Sequence, residues 1–386
     1  MPPSVSDRAT RFPPLEHLTW ARFEAGRSRH LLSSSQIPVP PPEVLDASGP
    51  MPLLLTPELR GAFVDGLAAR YGVTAQEVTL TAGVSEALAV ACDGLLEDGD
   101  WALVETPGYQ SLGRVPASRG AVVRRVERRL DGDWAPTEAS RSVHEAAAAS
   151  RGAGRRLALV VVSDLHNPSG APLADETLDA LVEACAATGA RLLVDEVYRD
   201  ADEARAIGTA RNRHPRAVVV NSLTKAYGLG GLRAGWILSP VEDAAVFRRV
   251  QNYHSVILSA PSAHLATRAL EKADEILAWG RSMVRTNRAA FERCMADEPG
   301  GFRYARGTSR GTTVFPHRAP GSDTTDDVER WRRAFDVEVV PGRFFDARHG
   351  IRIGLGQPPE TFTRALARWR EAAAHPDEAA RSVAHP

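Results

Sequence analysis

The chain has 386 residues, enough for two to three structural units at roughly 150 residues each. Hydrophobic residues make up 43% and charged residues 25%, the balance of a soluble globular protein and not of a disordered, collagen-like or membrane-embedded one. Lys plus Arg number 47 against 48 Asp plus Glu, a net charge of −1, so no global basic field exists to hold a nucleic acid and the expected partner is a small molecule.

Residues 1–14 contain no apolar run of signal-peptide length, and no segment approaches ~18 uninterrupted apolar residues. A cytoplasmic location without membrane contact is therefore expected. Cys92, Cys185 and Cys294 are too scattered for a disulfide framework or a CxxC metal site, and no metal is expected. Residues 12–45 hold a helix candidate and the proline-rich run 38–42, and residues 1–45 read as an arm that contributes to a small domain. Between 46 and 265, Val- and Leu-rich runs at 102–105, 157–162, 191–194 and 217–220 alternate with helical patterns such as 85–96 and 175–188. That alternation predicts an α/β large domain with a mostly parallel central sheet flanked by helices. From about 262 the pattern changes to a long helical region through 295, strand-like runs at 312–315, 338–340 and 351–354, and a helix over 359–374. Residues 266–374 thus read as a smaller α+β domain and 375–386 as a flexible tail.

Five stretches carry chemistry. Lys225 follows the 217–220 strand among small residues, where a desolvated amine can form a Schiff base; a surface lysine beside a Gly-rich turn would look the same. Ser222 and Arg233 flank it and suit a phosphate. Asn167, in His-Asn-Pro-Ser-Gly, ends another strand, and Asp195 of Asp-Glu-Val-Tyr198 ends a third, where it either caps a helix or pairs with a protonated ring nitrogen. Gly83, Val84 and Ser85 open a helix whose free amides form an anion site. Tyr109 follows the 102–105 strand and can stack on a planar ligand.

Together these motifs resemble the fold type I pyridoxal phosphate (PLP) enzymes, in particular the class I/II aminotransferase family. The spacings match as well: 28 residues from Asn167 to Asp195, 3 from Asp195 to Tyr198, 3 from Ser222 to Lys225 and 8 from Lys225 to Arg233. The resemblance spans roughly residues 12 to 372. It implies that Lys225 is the Schiff-base lysine and proton carrier, that Asp195 keeps the pyridine nitrogen protonated, and that Asn167 and Tyr198 face the phenolic oxygen. It further implies a phosphate cradle of Gly83, Val84, Ser85, Ser222 and Arg233, a stacking ring at Tyr109, and a homodimer. Arg352, in Ile-Arg-Ile-Gly354, matches the arginine that binds the substrate carboxylate, with Asn167 beside it. Gln36 is a substrate-pocket candidate, as are Tyr227 and His254, and Glu16 is a candidate acid for a guanidinium.

The runs Leu31-Leu-Ser-Ser-Ser35, 166–171 and 225–236 are similar to a narrower branch containing capreomycidine synthase and related cyclases, which use this scaffold for elimination, replacement or ring closure. Tyr198 is the tyrosine of ordinary aminotransferases, so transamination stays chemically open. In one respect the chain departs from the family: the stretch 46–56 ahead of Leu59-Arg60 lacks the Tyr that reaches the partner subunit's cofactor phosphate. That departure hints at specialised metabolism. A PLP-sensing regulator is the remote alternative, since about 30 residues precede Ser33, too few for a winged-helix module.

Overall fold

A computed structural model describes residues 12–45, 49–130 and 135–375. Of the tail expected over 375–386, residues 376–386 lie outside them, as do residues 46–48 of the tyrosine-free stretch. Twelve strands are named in chain order: β1 (His30–Leu31), β2 (Val78–Thr81), β3 (Trp101–Thr106), β4 (Val122–Glu127), β5 (Leu157–Ser163), β6 (Arg191–Asp195), β7 (Val218–Ser222), β8 (Gly235–Leu238), β9 (Thr313–Val314), β10 (Val337–Glu338), β11 (Val340–Pro341) and β12 (Ile351–Gly354).

The central sheet has seven strands in the order β2-β8-β7-β6-β5-β3-β4. All neighbours are parallel except β8, which runs antiparallel to both β2 and β7. Strand side chains alternate between faces, and here both faces are apolar. Val160, Val162, Leu192, Val194 and Val219 join one core cluster, whereas Leu159, Val161, Leu193, Val218 and Val220 join the other. That double burial explains why these runs read as continuous hydrophobic segments. The sequence reading omitted β2, β4 and β8. In β4 the pattern Val-Val-Arg-Arg-Val-Glu places its residues at exposed and half-buried positions on the sheet edge, where charge deters further pairing.

The flanking helices follow local signals. The helix Pro57–Tyr71 is capped by Thr56, whose Oγ1 accepts the Leu59 N–H at 3.2 Å, and it ends at Gly72 with φ +64°. The helix Asp175–Thr188 stops at Gly189, with φ +81°. The expected long helix through 295 is two helices, Ala260–Glu271 and Ala273–Cys294, broken at Lys272.

The C-terminal part builds a three-stranded antiparallel sheet in the order β11-β12-β9, and the helices Thr325–Phe335 and Pro359–Ala374 both pack against β10 beside it. The single strand expected over 338–340 is two strands with different partners. β11 pairs with β12, whereas β10 pairs in parallel with β1 of the arm. The arm is pinned further by Glu338, which accepts the Gly26 N–H at 2.9 Å and the Ser33 hydroxyl at 2.5 Å. Gly354 N donates to Leu32 O at 2.7 Å, and a Cβ on Gly354 would sit 1.6 Å from Ser34 O, so only glycine lets the arm backbone approach β12.

Candidate active site

The carboxyl ends of β5, β6 and β7 open onto a cavity of about 570 Å³ whose far wall is the arm. Its lining includes Gln36, Val84, Ser85, Tyr109, Asn167, Asp195, Tyr198, Ser222, Lys225, Arg233 and Arg352. Gly83 stands next to them as the N-cap of the helix Val84–Leu95. The expected cofactor contacts, with Arg352, Asn167 and Gln36 on the substrate side, are therefore at or beside one cavity. In open α/β sheets this is where ligands bind, because strand ends leave backbone groups and helix N-termini facing a crevice.

Lys225 is half-buried, and its Nζ donates to Ser35 Oγ at 2.8 Å and lies 5.9 Å from the Tyr198 ring centroid. Asp195 is buried at the end of β6, where its Oδ1 accepts the Val197 N–H at 3.1 Å. Loss of hydration raises its pKa to about 7; the nearby Glu105 adds to the rise, while the Val197 N–H and Lys225 oppose it. A buried carboxyl held that high is poised to gain from a cationic partner. Asn167 sits on a turn fixed by the buried His166, whose Nδ1 meets Ser169 Oγ and whose Nε2 meets Pro107 O, both at 2.7 Å. Burial lowers the His166 pKa to about 3, so the imidazole is neutral and serves as a strut.

Arg352 projects from β12 into the cavity and is 2% exposed. Its Nη1 donates to Asn167 Oδ1 at 3.1 Å and its Nη2 to Ser33 O at 3.3 Å; no carboxylate among the described residues pairs with it. Burial lowers its pKa from the ordinary arginine value. A buried guanidinium without a counter-ion is a site waiting for an anion.

Gly83 has φ +90°, and a Cβ there would lie 2.5 Å from Arg233 Nη2. Arg233 also has a positive φ, +50°, and donates to Ala82 O at 3.0 Å and Gly230 O at 3.3 Å, which stations the guanidinium beside the helix N-terminus. Ser85 and Ser222 line the same corner. Two hydroxyls, a guanidinium and a helix N-terminus form a donor set that fits a phosphate. Tyr109 and the Asp195 carboxylate fit the ring of a phosphorylated pyridine, and Lys225 its aldehyde. Gly83→Ala is expected to weaken PLP affinity about tenfold or more by straining the turn and displacing Arg233, read by PLP titration of the apoenzyme.

Three further candidates stand elsewhere. Tyr227 is buried behind the lysine loop, where its hydroxyl donates to Asp200 at 2.7 Å and accepts from Arg70 Nε at 3.1 Å. His254 pairs with Asp93 at 2.9 Å, and Glu16 pairs with Arg343 at 2.9 Å; neither lines the cavity. The sequence reading missed His17, Trp20, Ser33, Ser34, Ser35 and Thr224, which do. Repetition of serine at 33–35 beside a proline-rich run was the available signal for the hydroxyls, while nothing in the helix Glu16–Phe23 marks His17 as a cavity residue.

A family model for aminotransferase class I and II matches residues 32–368. Capreomycidine synthase of Streptomyces vinaceus is 32% identical over 294 residues, 75% of this chain and 72% of that protein. A crystal structure of the PLP-dependent cyclase OrfR superposes over 93% of this chain and 97% of its own, with a TM-score of 0.76 and 28% identity. In fold, the chain also matches a PLP-dependent aminotransferase from Streptococcus suis, with a TM-score of 0.81 at 22% identity over 95% of this chain and 99% of that one. The chain belongs to the class I and II aminotransferase family: it is a fold type I PLP-dependent enzyme, and its cofactor is pyridoxal 5′-phosphate.

Proposed function

We propose that the protein transfers the amino group of an α-amino acid in bacterial amino-acid or specialised metabolism, acting as a cytoplasmic homodimer. The observation that carries this reading is the pairing, in one cavity, of the half-buried amine of Lys225 with the unpaired guanidinium of Arg352. One can take and return a proton at a substrate Cα; the other fixes the carboxylate that defines the substrate class. PLP, when bound, supplies an aldehyde for the substrate amine and a ring that withdraws electrons from Cα.

The family resemblance, supported by their places around the cavity, suggests roles for the remaining side chains. Asp195 would be the carboxylate that holds a proton on the ring nitrogen of bound PLP. Tyr198 and Asn167 would hold the phenolic oxygen of PLP, and Asn167 also orients Arg352 through the 3.1 Å contact. Gly83, Val84, Ser85, Ser222 and Arg233 would bind the phosphate, Tyr109 would stack on the ring, and Gln36 would meet the substrate from the arm. The chain divides into a large domain over 46–265 and a small one over 266–374, and the described part of the arm, residues 12–45, joins the small domain and walls the cavity. Homodimerisation is supported by exposed apolar residues on two segments that meet near Leu55: Leu53 and Leu54, 92% and 75% exposed, and Tyr253, Val256 and Ile257, 91%, 53% and 57% exposed.

Arg352→Lys is expected to raise KM for the amino acid about 100-fold with a smaller change in kcat, because a lysine loses the bidentate geometry while keeping the charge. A single-sided rise in KM separates this from a folding defect.

A second reading is supported by the similarity to capreomycidine synthase and to the cyclase OrfR: ring closure, elimination or replacement on the same scaffold. Steady-state assays of L-amino acids with pyruvate or 2-oxoglutarate separate the two. Formation of the matching keto acid together with alanine or glutamate supports transamination. Dehydrated or cyclised amino acids without any keto acid would replace it with the second reading.

A further inference from the structure

The arm helix Glu16–Phe23 carries His17, which is 7% exposed and lines the cavity beside Arg352. Its ring is clamped by aromatic neighbours: Phe345 and Phe344 at 5.3 and 5.5 Å between centroids, and Tyr109 edge-on at 6.0 Å. Its backbone N–H donates to Gln110 Oε1 at 3.1 Å, which ties the helix to the segment bearing Tyr109. The imidazole is thus held in place, yet its polar atoms are poorly used. Nε2 lies 3.5 Å from Arg352 Nη2, and Nδ1 is buried without a partner among the described residues.

Arg352 has only donors, so the Nε2 that faces it carries a lone pair and the proton of the neutral ring is on Nδ1, where nothing receives it. Burial, and then the positive charges of Arg352 and Lys225, hold the His17 pKa well below its usual value, which keeps the ring neutral. A buried donor without an acceptor costs free energy that a change of partner can recover. The spacing shows what that partner is. Two nitrogens 3.5 Å apart lie at the separation of donors that share one oxygen, each with a short charge-assisted bond. When an oxyanion arrives at Arg352, moving the imidazole proton from Nδ1 to Nε2 makes the pair convergent and removes the orphaned donor. The anion also cancels the cationic field that Arg352 exerts on the ring.

We infer that His17 is a second contact for the substrate's α-carboxylate, completing from the arm the anion site that Arg352 begins from β12; this rests on the α-amino-acid reading above. Arm and small domain, joined through β1 and β10, then act as one jaw. The carboxylate selects the closed arm, because without the helix Glu16–Phe23 the His17 donor is missing.

The test uses holoenzyme titrated with L-alanine, L-arginine and L-glutamate, each beside its α-amide, and read by the change in cofactor absorbance. For each probe to which the wild type responds, His17→Phe should weaken binding of the acid on the order of 10- to 100-fold, the weight of a hydrogen bond to a charged group, while the amide changes less than about twofold. His17→Gln, which can place an amide N–H near the Nε2 position, should restore most of the lost affinity. Equal losses for acid and amide, or no loss for either, would overturn the inference while leaving the function intact, as would a His17→Gln variant no better than His17→Phe. A His17→Phe protein that fails to take up PLP transfers the decision to His17→Gln, whose acid-to-amide ratio must then match the wild type. A wild-type holoenzyme that responds to no probe contradicts the α-amino-acid reading itself, and the inference with it.

Discussion

Replacement of Lys225 by alanine is expected to lower kcat/KM by about 10⁴-fold or more, the largest effect of any single substitution in this protein. The lysine is the one ammonium group lining the cavity among the described residues, and the carboxyl ends of three buried strands lead up to it. The rest of the chain offers little substitute, because it has only two lysines, Lys225 and Lys272. Lys272 sits on the surface between two helices, 3.8 Å from Glu275. That scarcity makes the chemistry easy to assign. Borohydride reduction of the wild-type holoenzyme followed by peptide mapping should place the phosphopyridoxyl group on Lys225, and Lys225→Ala should release all its cofactor on dialysis after the same treatment. Partial rescue of Lys225→Ala by added methylamine would separate a missing proton carrier from a misfolded site. A variant that keeps wild-type turnover would remove Lys225 from the reaction.

The second large effect is expected at Asp195. Asp195→Asn should cost on the order of 10²- to 10³-fold in kcat, the weight of a preorganised charge removed from a buried site. The same change should stabilise the apoprotein, and the sign follows from the direction of the shift. The folded pKa is raised to about 7, against ~3.9 for an unfolded aspartate. Below pH ~4 the carboxyl is protonated in both states and burial is uncostly. As pH rises from about 4 to 7 the unfolded chain releases its proton while the folded chain retains it, so stability is lost across that window. Above pH 7 the whole penalty stands, up to about 4 kcal/mol at ~1.36 kcal/mol per pKa unit. The Asp195→Asn apoprotein should therefore melt several degrees above wild type at pH 8, with a much smaller gap at pH 4. PLP, by bringing a protonated nitrogen to the carboxylate, should close the gap at pH 8. A wild-type apoprotein as stable as the variant at pH 8 would mean that Asp195 already has a counter-charge.

What was legible in the sequence follows physical lines. The strands β3, β5, β6 and β7 were visible because burial on both faces makes them continuous apolar runs. The helices Asp175–Thr188 and Pro359–Ala374 were found with their ends because Gly189 and Pro358 mark them chemically. The cavity residues Asn167, Asp195, Ser222 and Lys225 were visible because their spacing along successive strand ends is fixed by the sheet. Contacts made across the chain were not legible. The pairing of β1 with β10 is two residues long and joins positions about 300 residues apart, and Glu338, which pins the arm, looks like any strand-edge acid. His17 gave no signal for the same reason: its place beside Arg352 depends on how the arm folds back over the cavity. Tyr227 and His254 carry suitable chemistry, but the first is buried against Asp200 and the second is held on the surface by Asp93.

The claim that this cavity performs amino-group transfer is tested most directly by a half-reaction. Holoenzyme mixed with a reactive L-amino acid in the absence of any keto-acid acceptor should release one equivalent of keto acid per active site and leave its cofactor in the pyridoxamine form, with the PLP form restored on adding pyruvate. A cofactor that stays in the PLP form while cyclised or dehydrated amino acid accumulates over many turnovers would contradict it.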